Sequence, residues 1–213
     1  MTISVIMVVE NGAAFLAAAL DSIARNRVEG MEVIIFDGNS TDGTAEIAAA
    51  HPLRPTIRKQ RRKGHGPALN QAVAETRGEW LAFIDCDDVW PDGRLPALFR
   101  HAVDGVEWIY GKVTNCDAAL RPAMEPQLAR LITASLIRRS AFAKIGAFRT
   151  DITHGSNIDF VARSTGLGIH FQTIEDVVLL RRVHANNMGV TGREKARVDL
   201  FRILRDHKAR QLP

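Results

Sequence analysis

The chain contains the stretch Trp80-Leu81-Ala82-Phe83-Ile84-Asp85-Cys86-Asp87-Asp88-Val89-Trp90-Pro91. Its first five residues are apolar, which is typical of a strand that is covered on both faces of a parallel sheet. Three carboxylates, those of Asp85, Asp87 and Asp88, follow where the apolar run stops. In an open α/β sheet the carboxyl ends of the strands border the crevice that binds ligands. The stretch therefore predicts a buried central strand that delivers acidic side chains to such a crevice.

The three aspartates predict a site for a divalent cation. Their carboxylates would repel one another at close range unless a cation lay between them. Hard oxygen ligands of this kind suit Mg²⁺ or Mn²⁺. A helix-loop-helix calcium site does not fit, because the sixth residue counted from Asp85 is Trp90 instead of glycine and the twelfth is Pro96 instead of glutamate. An acidic turn without a metal remains the alternative.

Strand-like and helix-like segments alternate through the first half of the chain. Continuous apolar runs mark strands, and apolar residues three and four apart mark helices. The pattern predicts strands over 3–9, 32–36, 55–58 and 80–84, and helices over 13–25, 44–50 and 68–76. This alternation indicates an α/β fold with a doubly wound, mostly parallel central sheet flanked by helices.

The second half of the chain has a less regular pattern and predicts a small mixed part. A mobile loop is expected over 115–128, where periodicity is weak and two prolines occur. The expected strands are 106–113, 134–138, 168–174 and 177–182, and the expected helices are 95–103, 140–145, 158–164 and 193–208.

Length and composition fit one soluble globular domain. The chain has 213 residues, of which 46% are hydrophobic and 24% are charged. Its net charge of +4 comes from the C-terminal segment 193–210. Two cysteines are too few for a disulfide scaffold, so a cytoplasmic protein is expected. No apolar segment reaches the length of a spanning helix and no secretion signal begins the chain, so any membrane contact should be peripheral.

Polar residues follow three of the predicted strands, at what should be one edge of the sheet. Glu10 and Asn11 follow the first strand, Asp37 ends the second, and the acidic stretch ends the fourth. A nucleotide diphosphate would suit this crevice, because carboxylates can accept hydrogen bonds from a base or ribose and a cation can hold the pyrophosphate. Lys63 and Gly64 would add positive charge and close backbone approach at a helix start. Neither a dinucleotide fingerprint nor a Walker loop is present.

Four segments, taken in order, resemble the successive motifs of family 2 glycosyltransferases. They are 4–12, 33–44, 64–70 and 83–90, and further likeness extends through 136–139, 145–148 and 180–184. The resemblance implies the GT-A fold and the inverting transfer of a sugar from a UDP- or GDP-type donor, assisted by Mn²⁺ or Mg²⁺. The sequence has no internal repeat and no low-complexity linker, which predicts a single domain, residues 1–213, with a nucleotide-binding half (1–94) and an acceptor half (95–213). The acceptor, whether glycan, lipid-linked or peptide, is not specified, and neither is the oligomeric state.

The resemblance also assigns roles to individual residues. Asp37 matches the position that recognises the base, Asp85 the one beside the ribose, and Asp87 the metal-contacting carboxylate of the Asp-x-Asp motif. Asp85 and His184 are further candidate metal ligands. The candidate donor-binding residues are Val9, Glu10, Asn11, Asp37, Lys63, Gly64, Asn70, Asp85, Cys86 and Asp87.

The chain departs from the family pattern at the expected general base. Within 154–160, the residue at the position of the catalytic aspartate is Asn157, and an amide cannot deprotonate an acceptor. Asp159 is the nearest carboxylate, but residues two apart on a helix point about 200° away from each other. Family members also usually have proline near Val8 and tyrosine at Glu10. Asn157 and Asp159 are thus the catalytic candidates, and a catalytically impaired nucleotide-sugar-binding module is the alternative function.

Two other functions are disfavoured. The basic run 58–63 is short and lacks aromatic residues, so no nucleic-acid partner is expected. A nucleotidyltransferase would need a glycine-rich basic loop after the first strand, and Glu10-Asn11-Gly12 does not supply one. The basic helix over 193–208 predicts either a docked surface helix or peripheral contact with the inner face of a membrane.

Overall fold

The computed structural model describes residues 1–185, 187 and 193–211. The strands are β1 Ile3–Val9, β2 Met31–Asp37, β3 Thr56–Lys59, β4 Trp80–Asp85, β5 Trp108–Cys116, β6 Gln127–Leu128, β7 Ser135–Arg138 and β8 Phe171–Arg182. The helices are α1 Ala13–Arg25, α2 Thr44–Ala50, α3 His65–Glu75, α4 Arg94–Phe99, α5 Arg139–Ile145, α6 Ser156–Thr165 and α7 Arg193–Gln211, and a 3₁₀ turn spans Ile132–Ala134.

All eight strands belong to one mixed sheet. Its order is β3-β2-β1-β4-β7-β5-β6, and β8 lies parallel to β5. β1 to β4 are mutually parallel, whereas β7 runs antiparallel to both β4 and β5. The predicted α/β architecture, a mostly parallel sheet with a mixed second part, is confirmed. Strands from both halves of the chain share this sheet, while the assignment of 1–213 to one domain stays a prediction.

The register of the parallel strands brings their polar ends together. Val9 of β1 is paired with Asp37 of β2, and Val8 is paired with Asp85 of β4. Since successive side chains on a strand point to opposite faces, Met7 and Ile6 enter different cores on the two sides of the sheet. The sheet is therefore buried on both faces, and its carboxyl edge is left to carry the polar groups.

A buried arginine fixes the segment that follows the acidic stretch. Arg94 is 1% exposed, and its Nη2 donates to the carbonyl oxygens of Thr133 (2.9 Å) and Ser135 (3.2 Å). Its guanidinium lies 3.9 Å from the centre of the Trp90 ring. Burial lowers the pKa of Arg94 to about 9. These contacts tie α4 to β7, so the loop that carries Asp87 and Asp88 is held against the sheet from its far end.

Several predicted elements differ from the structure in their bounds; for example, the helix expected over 95–103 ends at Phe99. The strands expected over 168–174 and 177–182 form the single strand β8, because register shifts beside Gly111 accommodate the intervening polar residues without breaking the pairing with β5. The segment 115–128, expected to be a mobile loop, has strand residues at both ends. It starts within β5, turns back so that Ala123 N donates to Asn115 O (2.8 Å), and ends in β6.

Within the described part of the chain, no helix combines the length and apolar character that crossing a membrane requires.

Candidate active site

A cleft of about 500 Å³ opens at the carboxyl edge of the sheet. One wall carries the acidic stretch after β4 together with His65 and Arg181. Another part of the lining, which we call the α6 wall, is the segment from Thr153 to Ile158, which includes the first turn of α6. A second recess of about 360 Å³ adjoins it and is lined by Val8, Val9, Glu10, Gln60, Lys63, Gly64, His65 and Thr153. The ends of β1 and β4 thus border these two spaces, whereas Asn11 and Asp37 are not among the residues that line either of them.

Asp87 lies at the centre of a hydrogen-bond network at the end of β8. Its Oδ2 is 3.0 Å from His184 Nε2 and accepts a hydrogen bond from Asn187 Nδ2 at 2.9 Å. The His184 ring contacts the Phe15 ring, with centroids 4.8 Å apart. The structure therefore brings Asp87 and His184 together across 97 residues of sequence. It also places Asp87 among the residues that line the cleft.

Asp88 anchors the acidic loop to β8. Its side chain is buried, and its Oδ1 accepts a hydrogen bond from the Arg182 backbone N–H at 2.9 Å. Arg182 Nε donates in turn to the carbonyl of Asp87 at 2.8 Å. Desolvation, followed by repulsion from Asp85 and Asp87, raises the pKa of Asp88 well above its usual value. Asp88 thereby positions its neighbours.

Asp85 and Cys86 have different environments although they are adjacent. The Asp85 Oδ1 lies 4.0 Å from His65 Nε2. Desolvation raises the pKa of Asp85, and His65 opposes this rise. Burial, reinforced by the neighbouring aspartates, raises the pKa of the Cys86 thiol. Cys86 lines the cleft and also packs closely on Gly12, where an added Cβ would lie 2.8 Å from its Sγ.

The carboxylates fit a cation that also binds a substrate. Among the described residues no three His, Cys, Asp or Glu side chains form a ready-made metal site. Mg²⁺-type sites, however, are commonly made by one or two carboxylates plus substrate phosphates. Asp85 and Asp87 at an open cleft meet that requirement. His184 is hydrogen-bonded to Asp87, an arrangement that orients a ligating carboxylate; its direct ligation of a metal stays a prediction.

The loops after β1 and β2 are tied to each other on the donor side. Asp37 is buried, and its Oδ1 accepts from the Ser40 hydroxyl at 2.5 Å. The Asn11 N–H donates to Ser40 Oγ at 2.8 Å, and Asn11 Oδ1 accepts from Thr41 N–H at 2.9 Å. Asn11 has a left-handed φ of 55°, a conformation that asparagine tolerates better than most residues. Asp37 and Asn11 therefore shape a rigid polar corner at the edge of the sheet.

Two of the donor-binding candidates, Lys63 and Gly64, directly precede α3, and a third, Asn70, lies in the middle of this helix. Lys63 Nζ lies 3.2 Å from Glu10 Oε1, and Gly64 precedes the helix with a φ of 122°. Asn70 does not face the donor recess in this arrangement. Its Nδ2 donates to Phe148 O (2.9 Å) and its Oδ1 accepts from Phe148 N (2.8 Å), so it fastens α3 to the segment before α6.

The two catalytic candidates on α6 point in different directions. Asn157 lines the cleft. Asp159 is 1% exposed, its Oδ2 accepts a hydrogen bond from Arg163 Nε at 2.7 Å, and Arg149 Nη1 lies 4.0 Å from its Oδ1. The angular offset of two helical residues turns the Asp159 carboxylate into the protein, which disfavours it as the base; the catalytic role of Asp159 stays a prediction.

Sequence reasoning missed several residues at the site. Ser156, Arg181 and Asn187 line the cleft. The Asp199 carboxylate of α7 accepts hydrogen bonds from the N–H groups of Thr153 (2.9 Å) and His154 (3.0 Å). Arg181 had a usable signal, because it stands near the end of a predicted strand. Asp199 had none, since 46 residues separate it from Thr153.

A family model and the sequences of known proteins all match this chain to glycosyltransferases. The model of the family described as "Glycosyl transferase family 2" matches residues 4–162. A PGL/p-HBAD biosynthesis glycosyltransferase of Mycobacterium tuberculosis is 38% identical over 159 residues, which cover 68% of this chain and 62% of the relative. An uncharacterized glycosyltransferase of Nostoc sp. is 34% identical over 46% of this chain and 32% of its own length. The chain thus spans about one third to two thirds of these relatives.

Solved structures confirm the predicted GT-A fold. Glucosyl-3-phosphoglycerate synthase from Mycobacterium tuberculosis, in complex with Mn²⁺, UDP and glucosyl-3-phosphoglycerate, superposes with a TM-score of 0.72 at 22% identity, over 97% of this chain and 79% of that one. Mannosyltransferase PcManGT from Pyrobaculum calidifontis, in complex with GDP-Man and Mn²⁺, has a TM-score of 0.66 at 23% identity, over 92% and 60%. S. aureus TarS has a TM-score of 0.72 at 15% identity, over 92% and 39%.

Proposed function

The chain belongs to glycosyl transferase family 2, and from that premise we propose that it transfers a sugar from a nucleoside diphosphate sugar to an acceptor, with inversion and with a divalent cation. The observation that carries this proposal is the placement of Asp85 and Asp87 beside an open cleft. Support comes from the likeness to proteins whose structures hold UDP or GDP-Man together with Mn²⁺.

Several groups of the chain would share the binding of the donor. Asp85 and Asp87 would hold the cation, and the hydrogen bonds from Asn187 and His184 would keep Asp87 in its orientation. The cation, when bound, supplies a Lewis acid for the departing diphosphate. Lys63 and the N-terminus of α3, which no side chain caps, would add positive charge on the same side. Asp37 and Asn11 would receive the nucleoside.

The α7 helix offers a surface for the predicted peripheral membrane contact. It docks through the buried residues Asp199 and Ile203, while Val198, Phe201 and Leu204 are exposed among basic residues. The docked-helix and membrane-contact alternatives are thus compatible, because they use different faces. Contact with a membrane stays a prediction.

Substitution of Asp87 tests the cation site. Asp87→Asn is expected to weaken Mn²⁺-dependent binding of UDP or GDP at least about 10-fold, because the amide cannot supply the charge that a divalent cation needs. Isothermal titration calorimetry with and without Mn²⁺ gives the measurement. Asp92→Asn, in the same loop and with an exposed side chain paired to Arg25, is the matched control. Unchanged affinity and metal dependence in Asp87→Asn would remove the assignment.

A turnover assay separates the transferase from the alternative, a nucleotide-sugar-binding module that Asn157 favours. The protein would be incubated with Mn²⁺ and a panel of UDP- and GDP-sugars, and free nucleoside diphosphate would be measured. Donor-specific release supports the transferase. Tight donor binding without release, with acceptor extracts present, would favour the binding module.

A further inference from the structure

The acceptor wall of the cleft is the N-terminus of a helix. α6 has ten residues, begins at Ser156 after Gly155 with a left-handed φ of 78°, and has no side-chain cap. The first N–H groups of a helix have no partner within it, and the macrodipole gives that end a partial positive charge. Because the segment from Thr153 to Ile158 lines the cleft, this positive end faces the space left for the acceptor.

The Ser156 hydroxyl provides an independent indication of a ligand. Ser156 is 3% exposed and lines the cleft, and its Oγ has no hydrogen-bond partner among the described residues. A buried hydroxyl that is left without a partner is unfavourable, so a ligand oxygen that supplies the partner is stabilised. Asn157 Oδ1 shares this situation, and an amide can turn its NH₂ group toward an acceptor. Both side chains can therefore donate to a ligand oxygen bound at the N-terminal end of the helix.

The charges around the cleft are divided between its walls. The lining carboxylates are those of Glu10, which follows β1, and of Asp85, Asp87 and Asp88, at and after the end of β4. The lining residues from Thr153 to Ile158 include no carboxylate. Asp159 is turned inward to Arg163, and Asp199 binds the N–H groups of Thr153 and His154 from behind. The α6 wall therefore carries the partial positive charge of a helix N-terminus, and its lining residues include the imidazole of His154 but no carboxylate.

We infer that the acceptor presents its nucleophile as an oxyanion, a phosphomonoester or carboxylate oxygen, held by Ser156 and the N-terminus of α6. This inference rests on the proposed function. A hydroxyl nucleophile needs a general base within hydrogen-bond reach, whereas an oxyanion does not. Its oxygen forms the new bond to the anomeric carbon as the bond to the nucleoside diphosphate breaks. The bonding pair leaves with the diphosphate, which gains the negative charge that the acceptor loses, so no proton has to move.

Binding of a simple anion tests the inference without knowledge of the natural acceptor. The probe is phenyl phosphate, and phenol is its neutral counterpart. Both are titrated into the full chain saturated with Mn²⁺ and the nucleoside diphosphate that binds best, so that the donor site is already filled. Phenyl phosphate is expected to bind at least about 10-fold more tightly than phenol. If phenyl phosphate binds no more tightly than phenol, or if its binding cannot be detected, the inference is overturned.

Variants locate the binding to α6. Ser156→Ala and Asn157→Asp are each expected to weaken phenyl phosphate binding at least about 10-fold, the first by removing a donor and the second by adding a negative charge. Ser164→Ala is the matched control, because its hydroxyl donates to Val161 O at the far end of the same helix. Thermal melts check that each variant is folded. Unchanged binding in both folded test variants would overturn the inference.

A transfer assay distinguishes the possible sources of the oxyanion. With the active donor, product formation is compared for dodecyl phosphate, dodecanoate and dodecanol, and for a sugar phosphate against the free sugar. Preference for dodecyl phosphate indicates a lipid source, and preference for the sugar phosphate a soluble one; either supports the inference. Transfer to the alcohols alone would overturn it. If the parent protein does not bind a nucleoside diphosphate in the presence of Mn²⁺, the proposed function itself is refuted.

Discussion

The Asp159→Asn variant distinguishes a structural carboxylate from a catalytic one. Asp159 is 1% exposed. Its Oδ2 lies 2.7 Å from Arg163 Nε, and its Oδ1 lies 4.0 Å from Arg149 Nη1. Removing one charge of a buried ion pair costs about 3–5 kcal/mol. Arg163 also donates to the carbonyls of Ile145 and Ala147, and the new amide oxygen can still accept. We therefore expect the lower end of this range, about 3 kcal/mol.

Thermal unfolding and turnover measured on the same preparation test this prediction. In a chain of this size each kcal/mol lowers Tm by about 2–4 °C, so Asp159→Asn should lower Tm by about 6–12 °C. Turnover per folded molecule should be largely retained when it is measured well below the unfolding temperatures of both the parent protein and the variant. The control is Asp151→Asn, which removes another partner of Arg149; its side chain is 62% exposed, so the loss should stay below about 1 kcal/mol.

Two results would refute the reasoning about Asp159. A fall in kcat of about 10²-fold or more at an unchanged Tm is the signature of a general base. An unchanged Tm with unchanged kcat would mean that the ion pair with Arg163 contributes nothing to stability.

Two further predictions concern neighbouring contacts. Asn70→Ala should lower the free energy of unfolding by about 2–4 kcal/mol, because the buried N–H and C=O of Phe148 lose their partners; weaker donor binding at an unchanged Tm, measured by calorimetry and thermal melting, would contradict this. The hydrogen bond from Arg149 lowers the pKa of Asp151 from 3.8 to about 2. A carboxyl group whose pKa is lower in the folded state than in the unfolded state stabilises the fold at pH values above its unfolded pKa. This contribution is lost as the pH falls toward 2. The parent Tm should therefore drop more steeply than that of Asp151→Asn between about pH 4 and pH 2; parallel profiles would show that the pair is not formed.

The first half of the fold could be predicted because its strands are compact apolar runs with clear ends. The strand expected over 80–84 is Trp80–Asp85 in the structure, and the helix expected over 13–25 is found at those bounds. The sequence predicts β7 as a strand, but it does not predict that this strand lies between β4 and β5 and runs antiparallel to both. Strand pairing between distant segments leaves no periodic signal, whereas burial of a strand does.

The sequence by itself determined that carboxylates follow buried parallel strands, and parallel strands end at a common edge; this was enough to place Asp37, Asp85 and Asp87 along the edge of the sheet that borders the crevice. Only the tertiary structure decided which polar side chains face that crevice. Asn70 is held by Phe148, 78 residues away, and Asp159 is held by Arg163, while Ser156 and Asn157 border the open space. Side-chain direction depends on how separate segments pack against one another, and this packing is set by the whole fold and not by the local pattern.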